Sequence, residues 1–182
     1  MKGIILAGGS GTTKCLWRNQ AKRRASVISN NALIIRTSWV YSEYGNNFVK
    51  TMLRLGKERD ALNVIFDQVG TPTYAHDLAQ AIMTIVNSDN VNQTSYSCEL
   101  YHYSNEGVCN WYDFAKAIFE LNNVDCDVTP IETKDYPTPA TRPHYSLLNK
   151  AKIKQTFHLS IPYWKESLQR CISQLAQQEQ AE

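Results

Sequence analysis

The sequence has no long hydrophobic run, no paired cysteine or histidine motif and no acidic residue near its start. The longest apolar runs, such as Ile4–Ala7 and Ala32–Ile35, are far shorter than the ~18 residues typical of a membrane span. The start of the chain also lacks the cleavage-site pattern of a secretory peptide. We therefore expect a cytoplasmic protein with no membrane partner.

Cysteines and histidines are scattered rather than clustered. The five cysteines and four histidines show no Cys-x-x-Cys or Cys/His ligand spacing, and an odd number of cysteines does not favour a disulfide framework. The sequence predicts reduced thiols and no metal site.

Acidic residues are missing from residues 1–30, which contain six lysines and arginines in a chain of net charge +2. A basic block can bind nucleic acid or phosphate. This one is short, and Trp17 is its only aromatic residue, so we favour a solvated segment and expect no nucleic-acid partner.

The first twelve residues, Met-Lys-Gly-Ile-Ile-Leu-Ala-Gly-Gly-Ser-Gly-Thr, predict a short buried strand followed by a glycine-rich turn. Such a turn lets backbone N–H groups approach a phosphate. Residues 13–30 show no periodicity. We therefore separate an aberrant N-terminal segment, 1–30, from a main part, 31–182.

Strand and helix patterns alternate through the main part, which predicts an α/β fold. The predicted strands are Ala32–Tyr41, Asn63–Phe66 and Leu100–Ser104. The predicted helices run from an Asn46 or Asn47 cap to Glu58, from a Thr73 cap to about Asn87, over Trp111–Leu121 behind an Asn110/Asp113 box, and from about Pro162. The proline-rich stretch Tyr136–Pro143 predicts an extended surface loop. So few strands indicate a truncated Rossmann-like sheet.

Trp39 is the first candidate binding residue, because it lies at the carboxyl end of a predicted buried strand. A flat indole at the carboxyl end of a strand suits stacking on a sugar ring or a base. The alternative is a core tryptophan. With Arg36, Thr37 and Ser38 beside it, we favour the binding role.

Two loops carry further polar candidates. Gln68 and Thr73 lie on a loop shaped by glycine and proline, where an amide and a hydroxyl can bond ligand oxygens. Arg142 has the bidentate geometry that suits a diphosphate, and a surface salt bridge is an equal alternative. For Asn47, capping the following helix is favoured over ligand binding.

Four separated motifs resemble the C-terminal part of the dTDP-4-dehydrorhamnose reductase family, over roughly residues 30–175. They are Ile-Arg-Thr-Ser-Trp-Val-Tyr (35–41), Gly-Asn-Asn-Phe (45–48), Asp-Gln-x-Gly-x-Pro-Thr (67–73) and Tyr-Pro-Thr-Pro…Arg-Pro (136–143). Their order along the chain makes the resemblance specific.

The resemblance implies an extended short-chain dehydrogenase fold, in which NADPH delivers hydride to the C4 carbonyl of dTDP-4-dehydro-L-rhamnose and yields dTDP-L-rhamnose. It places Trp39, Gln68, Thr73 and Arg142 on the dTDP-sugar. Thr37, Ser38 and Val40 would lie on the cofactor side, with Val40 bordering the nicotinamide ring. A requirement for Mg²⁺ is left open.

The sequence departs from this family where catalysis occurs. The Gly-x-x-Gly-x-x-Gly cofactor loop and the Tyr-x-x-x-Lys pair are not intact, and the literal match Tyr112–Lys116 lies downstream of the Trp39 strand, inside a predicted helix. Gly11–Lys14 resembles the end of the family's Tyr-Gly-x-Thr-Lys, with Ser10 in place of the tyrosine. An aliphatic hydroxyl is a far weaker acid than a phenol, so Lys14 is at most a remnant and we assign no catalytic residue.

Residues 1–12 instead resemble the start of glucose-1-phosphate thymidylyltransferase, although Thr13 stands where that family has arginine. We infer a fused or internally deleted reading frame. The first hypothesis is a reductase relative that binds dTDP-sugar. The second is a non-catalytic binding or regulatory module, like the regulatory beta subunit of methionine adenosyltransferase, and nucleotidyl transfer ranks last.

The resemblance also implies that the first half of the parallel sheet is missing. Ile4–Ala7 can replace at most one neighbouring strand, which leaves an open edge and an apolar face. Because such surfaces promote association, we expect the chain to self-associate or to behave as a loosely packed state.

Overall fold

The computed structural model describes residues 3–8, 32–89, 99–137 and 142–181. The strands are β1 (Gly3–Gly8), β2 (Ala32–Thr37), β3 (Val40–Tyr41), β4 (Ala61–Ile65), β5 (Val69–Gly70), β6 (Thr73–Tyr74), β7 (Glu99–His102), β8 (Cys109–Asn110) and β9 (Asp127–Ile131). The helices are α1 (Phe48–Glu58), α2 (Ala75–Val86), α3 (Trp111–Asn122), α4 (Ala151–Phe157) and α5 (Trp164–Ala181), and a 3₁₀ turn covers Thr133–Asp135.

The central sheet has β2 between β1 and β7, with all three strands parallel. Ile35 lies opposite Leu6 on one side and Tyr101 on the other. The neighbouring side chains Ile34 and Ile35 point to opposite faces, and both are almost fully buried. A parallel strand covered on both faces is typical of α/β proteins, so the predicted fold class is confirmed.

The largest core lies among α1, α3 and α5 and the parallel pair β4/β9. Phe114 and Ile118 are one helical turn apart on α3 and therefore share a face. Both are fully buried, as are Val49 of α1 and Leu168 of α5. Burying each such side chain contributes ~1.5–3 kcal/mol, so this cluster fixes the three helices relative to one another.

Both asparagine caps that the sequence predicts are present. The Asn47 side chain accepts a hydrogen bond from the Lys50 N–H and begins α1. Asn110 and Asp113 form a capping box at the start of α3, in which each side chain accepts from the other residue's backbone N–H. A cap of this kind contributes ~1 kcal/mol. Asn47 therefore has the structural role that we favoured.

A buried polar cluster joins α2 to α5, and we call Asp77, Asn105, Ser167 and Arg170 the Asp77 cluster. The Asp77 carboxylate accepts from Asn105 Nδ2 at 2.7 Å, Ser167 Oγ at 2.5 Å and Arg170 Nη2 at 2.7 Å. Asn105 Oδ1 accepts in turn from the Tyr74 N–H at the start of α2. Because Asp77, Asn105 and Ser167 are buried, each depends on the others for its hydrogen bonds.

Two predicted boundaries are wrong for local backbone reasons. The strand predicted over Ala32–Tyr41 ends at Thr37, because Trp39 has a φ of 48°, which no extended strand adopts. Thr73 does not cap α2. It lies in β6, and Tyr74 occupies the cap position without a side-chain hydrogen bond.

Other boundaries shift or were missed. The strand expected at Asn63–Phe66 begins at Ala61, and the last helix begins at Trp164 rather than Pro162. Neither β9 nor α4 was predicted. In the part of the chain that the structure describes, no helix has the length and apolar character needed to cross a membrane.

The described cysteines Cys109, Cys126 and Cys171 are buried free thiols. Desolvation by burial is the main cause that raises the pKa of the Cys171 thiol to about 12. The thiolate is the reactive form, so this side chain acts as a small apolar core residue.

Candidate functional site

The candidate site begins where β2 ends. After Thr37 the chain turns through Ser38 and Trp39 and enters β3, which pairs with β6 so that Val40 lies opposite Thr73. The Thr73 N–H donates to the Trp39 carbonyl at 3.0 Å. A tryptophan with positive φ stores backbone strain of ~1–3 kcal/mol, and such strain concentrates at functional sites.

Short hydrogen bonds connect this turn to the loop before β6. Thr37 Oγ1 donates to Thr73 Oγ1 at 3.2 Å, and Thr73 Oγ1 donates to the Ser38 carbonyl at 2.6 Å. Ser38 Oγ donates to the Thr71 carbonyl at 3.0 Å. Thr37 and Thr73 are buried, and their hydroxyls bond to the protein. Their contacts with cofactor and substrate stay predictions, and in this structure they shape the turn beneath Trp39.

Trp39 is packed on Trp111, the first residue of α3. The two ring centroids are 3.6 Å apart and the ring planes differ by 16°. Phe48 packs against Trp111 with centroids 4.7 Å apart, and Phe48 also stacks on Phe114 in the core. The half-buried Trp39 is therefore connected to the main core, and its contact with a ligand stays a prediction.

Gly70 lies directly against the Trp39 indole. A Cβ at this position would be 2.8 Å from Cε2 and Cζ2 of Trp39 and 2.9 Å from Ser146 Oγ, closer than real Cβ atoms come. β5, which contains Gly70, pairs antiparallel with β8 immediately before Trp111. Glycine is thus required here because the backbone approaches the ring.

Gln68 is buried beside Asp67 and Thr133. Its Nε2 donates to Thr133 Oγ1 at 3.0 Å. Thr133 donates to the Asp67 carboxylate from both its N–H, at 3.0 Å, and its hydroxyl, at 2.6 Å. The amide that we predict to bind substrate is thus held by the 3₁₀ turn that follows β9, and its ligand contact stays a prediction.

The same contacts set the protonation of Asp67. Burial favours the neutral acid, but the Thr133 hydrogen bonds and the nearby His144 outweigh it and hold the pKa of this carboxyl below its usual range. A carboxyl whose pKa is lower in the folded state stabilises the fold above its unfolded pKa of ~4, and this stability is lost as the pH falls through the folded value.

Replacing Asp67 by asparagine is therefore expected to lower the free energy of unfolding by ~1–2 kcal/mol at neutral pH and to flatten its decline below about pH 4. Urea unfolding at a series of pH values measures both effects. Asp125→Asn, at an exposed aspartate, is the matched control and should leave the profile unchanged. Equal pH profiles for Asp67→Asn and the wild-type chain would show that the Thr133 contacts do not stabilise the carboxylate.

Arg142 lies on a segment that runs beside β5. The Val69 N–H donates to the His144 carbonyl at 2.7 Å, and the Ser146 N–H donates to the Val69 carbonyl at 2.9 Å. These bonds anchor the chain within two residues of Arg142, whose side chain is exposed. Among the described residues, Arg142 has no ion pair, so the salt-bridge alternative gains no support and diphosphate binding stays a prediction.

The structure thus brings Trp39 and Thr73 together at the carboxyl end of β2. Gln68 directly precedes β5 and bonds to Thr133, and Arg142 lies on the segment bonded to β5. Trp111, Gly70 and the Asp67–Thr133 contact were not identified as site residues from the sequence. Lys14 and Gly11 lie outside the described residues. Tyr112 and Lys116 lie on α3, as expected for a helix of the main core.

A three-stranded parallel sheet flanked by helices, with its polar and aromatic candidates at the carboxyl edge, defines a Rossmann-like α/β protein. The profile of the RmlD substrate binding domain matches residues 11–177. The chain belongs to that family. The matched range begins inside the segment that we set apart as 1–30, and the boundary at residue 30 stays a prediction.

Individual relatives agree with this assignment. The dTDP-4-dehydrorhamnose reductase of Aggregatibacter actinomycetemcomitans is 44% identical over 156 residues, which cover 82% of this chain and 52% of the relative. The chain thus spans about half the length of the curated relatives it matches. The reductase resemblance drawn from the four motifs is confirmed. The likeness of residues 1–12 to a thymidylyltransferase stays a prediction.

Solved structures give the same result at the level of the fold. A dTDP-4-dehydrorhamnose reductase from Clostridium acetobutylicum superimposes with a TM-score of 0.81 at 33% identity, over 95% of this chain and 65% of that one. The reductase from Bacillus anthracis, solved in complex with NADP, gives 0.80 at 32% identity, over 94% and 64%.

Proposed function

We propose that this chain binds a dTDP-linked sugar at the carboxyl end of β2, as the substrate-binding part of a dTDP-4-dehydrorhamnose reductase. The observation that carries the proposal is the strained, half-buried Trp39 at this position, with its indole stacked on the ring of Trp111 and close to the backbone of Gly70. Family membership supplies the class of ligand.

Each candidate residue has a role in this proposal. Trp39 contacts the sugar or base, and Arg142, exposed on the anchored segment beside β5, pairs with the diphosphate. Gln68 and Thr73 act mainly by shaping the loop, because both are buried and bonded to the protein.

Reduction of dTDP-4-dehydrorhamnose is the activity that the relatives' names indicate, and one similar solved reductase is in complex with NADP. When bound, NADPH would supply the hydride. The described residues fit this cofactor poorly, since Thr37 and Ser38 direct their hydroxyls at protein atoms and Val40 remains as the exposed contact. The literal Tyr-x-x-x-Lys match, Tyr112–Lys116, lies on α3 in the main core, and we assign it no role in protonating the sugar oxygen. We therefore propose ligand binding without turnover by this chain.

Binding is tested by titrating the purified chain with dTDP and following tryptophan fluorescence and heat. We expect saturable binding that Trp39→Leu weakens at least roughly tenfold, the ~1.4 kcal/mol that a lost aromatic stack contributes. Trp164→Phe removes a core indole beside Phe114 and is the matched control. If dTDP does not bind the wild-type chain, the proposal fails.

The same preparation separates the reductase from the other candidates. With NADPH and dTDP-4-dehydro-L-rhamnose, we expect no fall in NADPH absorbance. A sugar-dependent fall would show that the chain is catalytic. Binding of dTDP without binding of NADPH favours the non-catalytic module, and diphosphate release from dTTP and glucose-1-phosphate would favour the transferase. Among the described strands, β1 and β7 each pair on one side only. Such open edges favour self-association, which sedimentation measures.

A further inference from the structure

We propose that Trp111 is a positioning residue: its ring stacks on the Trp39 indole and holds it in its binding orientation. The backbone of Gly70, which carries no side chain, restricts the position of the same indole. The inference rests on the proposed binding of a dTDP-sugar at Trp39. It adds two residues to that site, neither of which was identified from the sequence as a binding residue.

The first step of the argument is the geometry of the pair. Parallel rings with centroids 3.6 Å apart and planes inclined by 16° are in full van der Waals contact. One face of the Trp39 indole is therefore covered by Trp111. A ligand reaches only the part of Trp39 that Trp111 leaves open, so the position of Trp111 determines which part that is.

The second step is the origin of the orientation. Trp39 has a left-handed backbone conformation, with a φ of 48°, which an isolated tryptophan avoids. Surrounding contacts must hold such a residue in place. The backbone supplies one of them, the bond from the Thr73 N–H to the Trp39 carbonyl, and the stacked Trp111 ring supplies a second.

The third step is the rigidity of Trp111 itself. It is the first residue of α3, directly after the Asn110 capping box, and β8 immediately before it pairs with Val69 and Gly70. Phe48 supports its ring from the core. The pairing of β5 with β8 thus positions two groups next to the Trp39 indole, the ring of Trp111 and the backbone of Gly70.

The fourth step is the tight fit at Gly70. A methyl group at this position would lie 2.8 Å from two atoms of the Trp39 ring, so Gly70→Ala must displace the indole or the β5 backbone. This change acts on Trp39 without replacing the Trp111 side chain. Two independent substitutions therefore test one orientation.

The experiment compares Trp111→Leu, Trp111→Phe and Gly70→Ala with the wild-type chain. Stacked indoles give an exciton couplet in far-ultraviolet circular dichroism, and we expect Trp39→Leu and Trp111→Leu each to abolish it. For dTDP affinity, we expect a loss of at least roughly tenfold in Trp111→Leu and in Gly70→Ala. Trp111→Phe keeps a flat ring and should recover most of the affinity.

Phe157→Leu is the matched control, since Phe157 is buried in a separate core cluster, where it packs on Tyr101. It should lower thermal stability while leaving dTDP affinity within about twofold. All titrations are run well below the unfolding midpoint of each variant, so that loss of folded protein does not mimic loss of affinity.

The outcomes separate this inference from the proposed function. If the wild-type chain binds dTDP and Trp111→Leu binds it equally well, Trp111 is a core residue only and the inference is overturned. If Trp111→Phe is as weak as Trp111→Leu, the flat ring is not the cause and the inference also fails. Absence of dTDP binding by the wild-type chain refutes the proposed function instead, whereas the exciton couplet still reports whether the two indoles stack.

Discussion

Replacing Asp77 by alanine is expected to lower the free energy of unfolding by ~3–5 kcal/mol, the range found when one partner of a buried ionic cluster is removed. The Asp77 carboxylate accepts hydrogen bonds from an amide, a hydroxyl and a guanidinium. Without it, the Ser167 hydroxyl stays buried and lacks its acceptor, and the Asn105 amide keeps only its bonds to Ser167 Oγ and the Pro162 carbonyl; a buried group without its partner costs ~1–3 kcal/mol. Arg170 is partly exposed and regains water, so most of the loss comes from the two neutral groups.

Urea denaturation followed by circular dichroism measures this effect. Asp113→Ala is the matched control, because it removes an aspartate from the exposed capping box and should cost only ~1 kcal/mol. A value for Asp77→Ala no larger than that of the control would mean that water or a rearranged Asn105 replaces the carboxylate.

Gly107→Ala is expected to destabilise the chain by ~2–5 kcal/mol. Gly107 has a φ of 90°, a conformation that costs a residue with a Cβ ~1–2 kcal/mol. The added Cβ would also lie 2.2 Å from Cε2 of Tyr163 and 2.8 Å from Cδ1 of Trp164. The backbone cannot easily move, because Glu106 is bonded on either side of Tyr163. Its N–H donates to the Pro162 carbonyl, and its carbonyl accepts from the Trp164 N–H.

Gly45→Ala separates the two contributions. Gly45 also has positive φ, at 64°, but no atom lies within 4 Å of the position that an added Cβ would take, so this control should cost only the backbone strain of ~1–2 kcal/mol. Adding Tyr163→Ala to Gly107→Ala removes the ring that the new Cβ would meet, and it should recover part of the difference in stability loss between Gly107→Ala and Gly45→Ala. Equal losses for the two alanine variants would show that the Tyr163 contact relaxes without cost.

Local signals in the sequence predicted the fold class and much of the secondary structure. Asn110 with Asp113 is a capping pattern that depends on residues three positions apart, and α3 begins where it predicts. The run of β-branched residues before Thr37 likewise forms the central strand of the sheet. These features depend on neighbouring residues, so a single sequence reveals them.

Elements that depend on distant partners were missed. β9 contains Pro130 and alternates polar with apolar residues, and among the described strands it pairs only with β4, the edge position in which proline is tolerated. α4 has seven residues, of which Ile153 and Phe157 are buried. Such a short helix forms through packing rather than through its own propensity, which periodicity does not show.

The site was predicted as a set of residue types but not as a geometry. Trp39 was identified from its place at the end of a strand, whereas its stacking partner Trp111 is 72 positions away and looks like an ordinary first residue of an amphipathic helix. The sequence also did not show that Thr73 is buried and bonded to Thr37 and Ser38, because both partners are distant along the chain. Residue type and local pattern indicate chemistry, and only tertiary contacts reveal which groups are still available to a ligand.

The spacing within the Asp77 cluster has a consequence for how the chain matures during its synthesis. Asp77 leaves the ribosome 90 residues before Ser167 and 93 before Arg170, an interval of roughly 5–20 s at typical rates of translation. Until that interval ends, the carboxylate lacks two of the three partners that allow its burial. The α2 face therefore stays hydrated in the nascent chain, and the core around it closes only when α5 arrives.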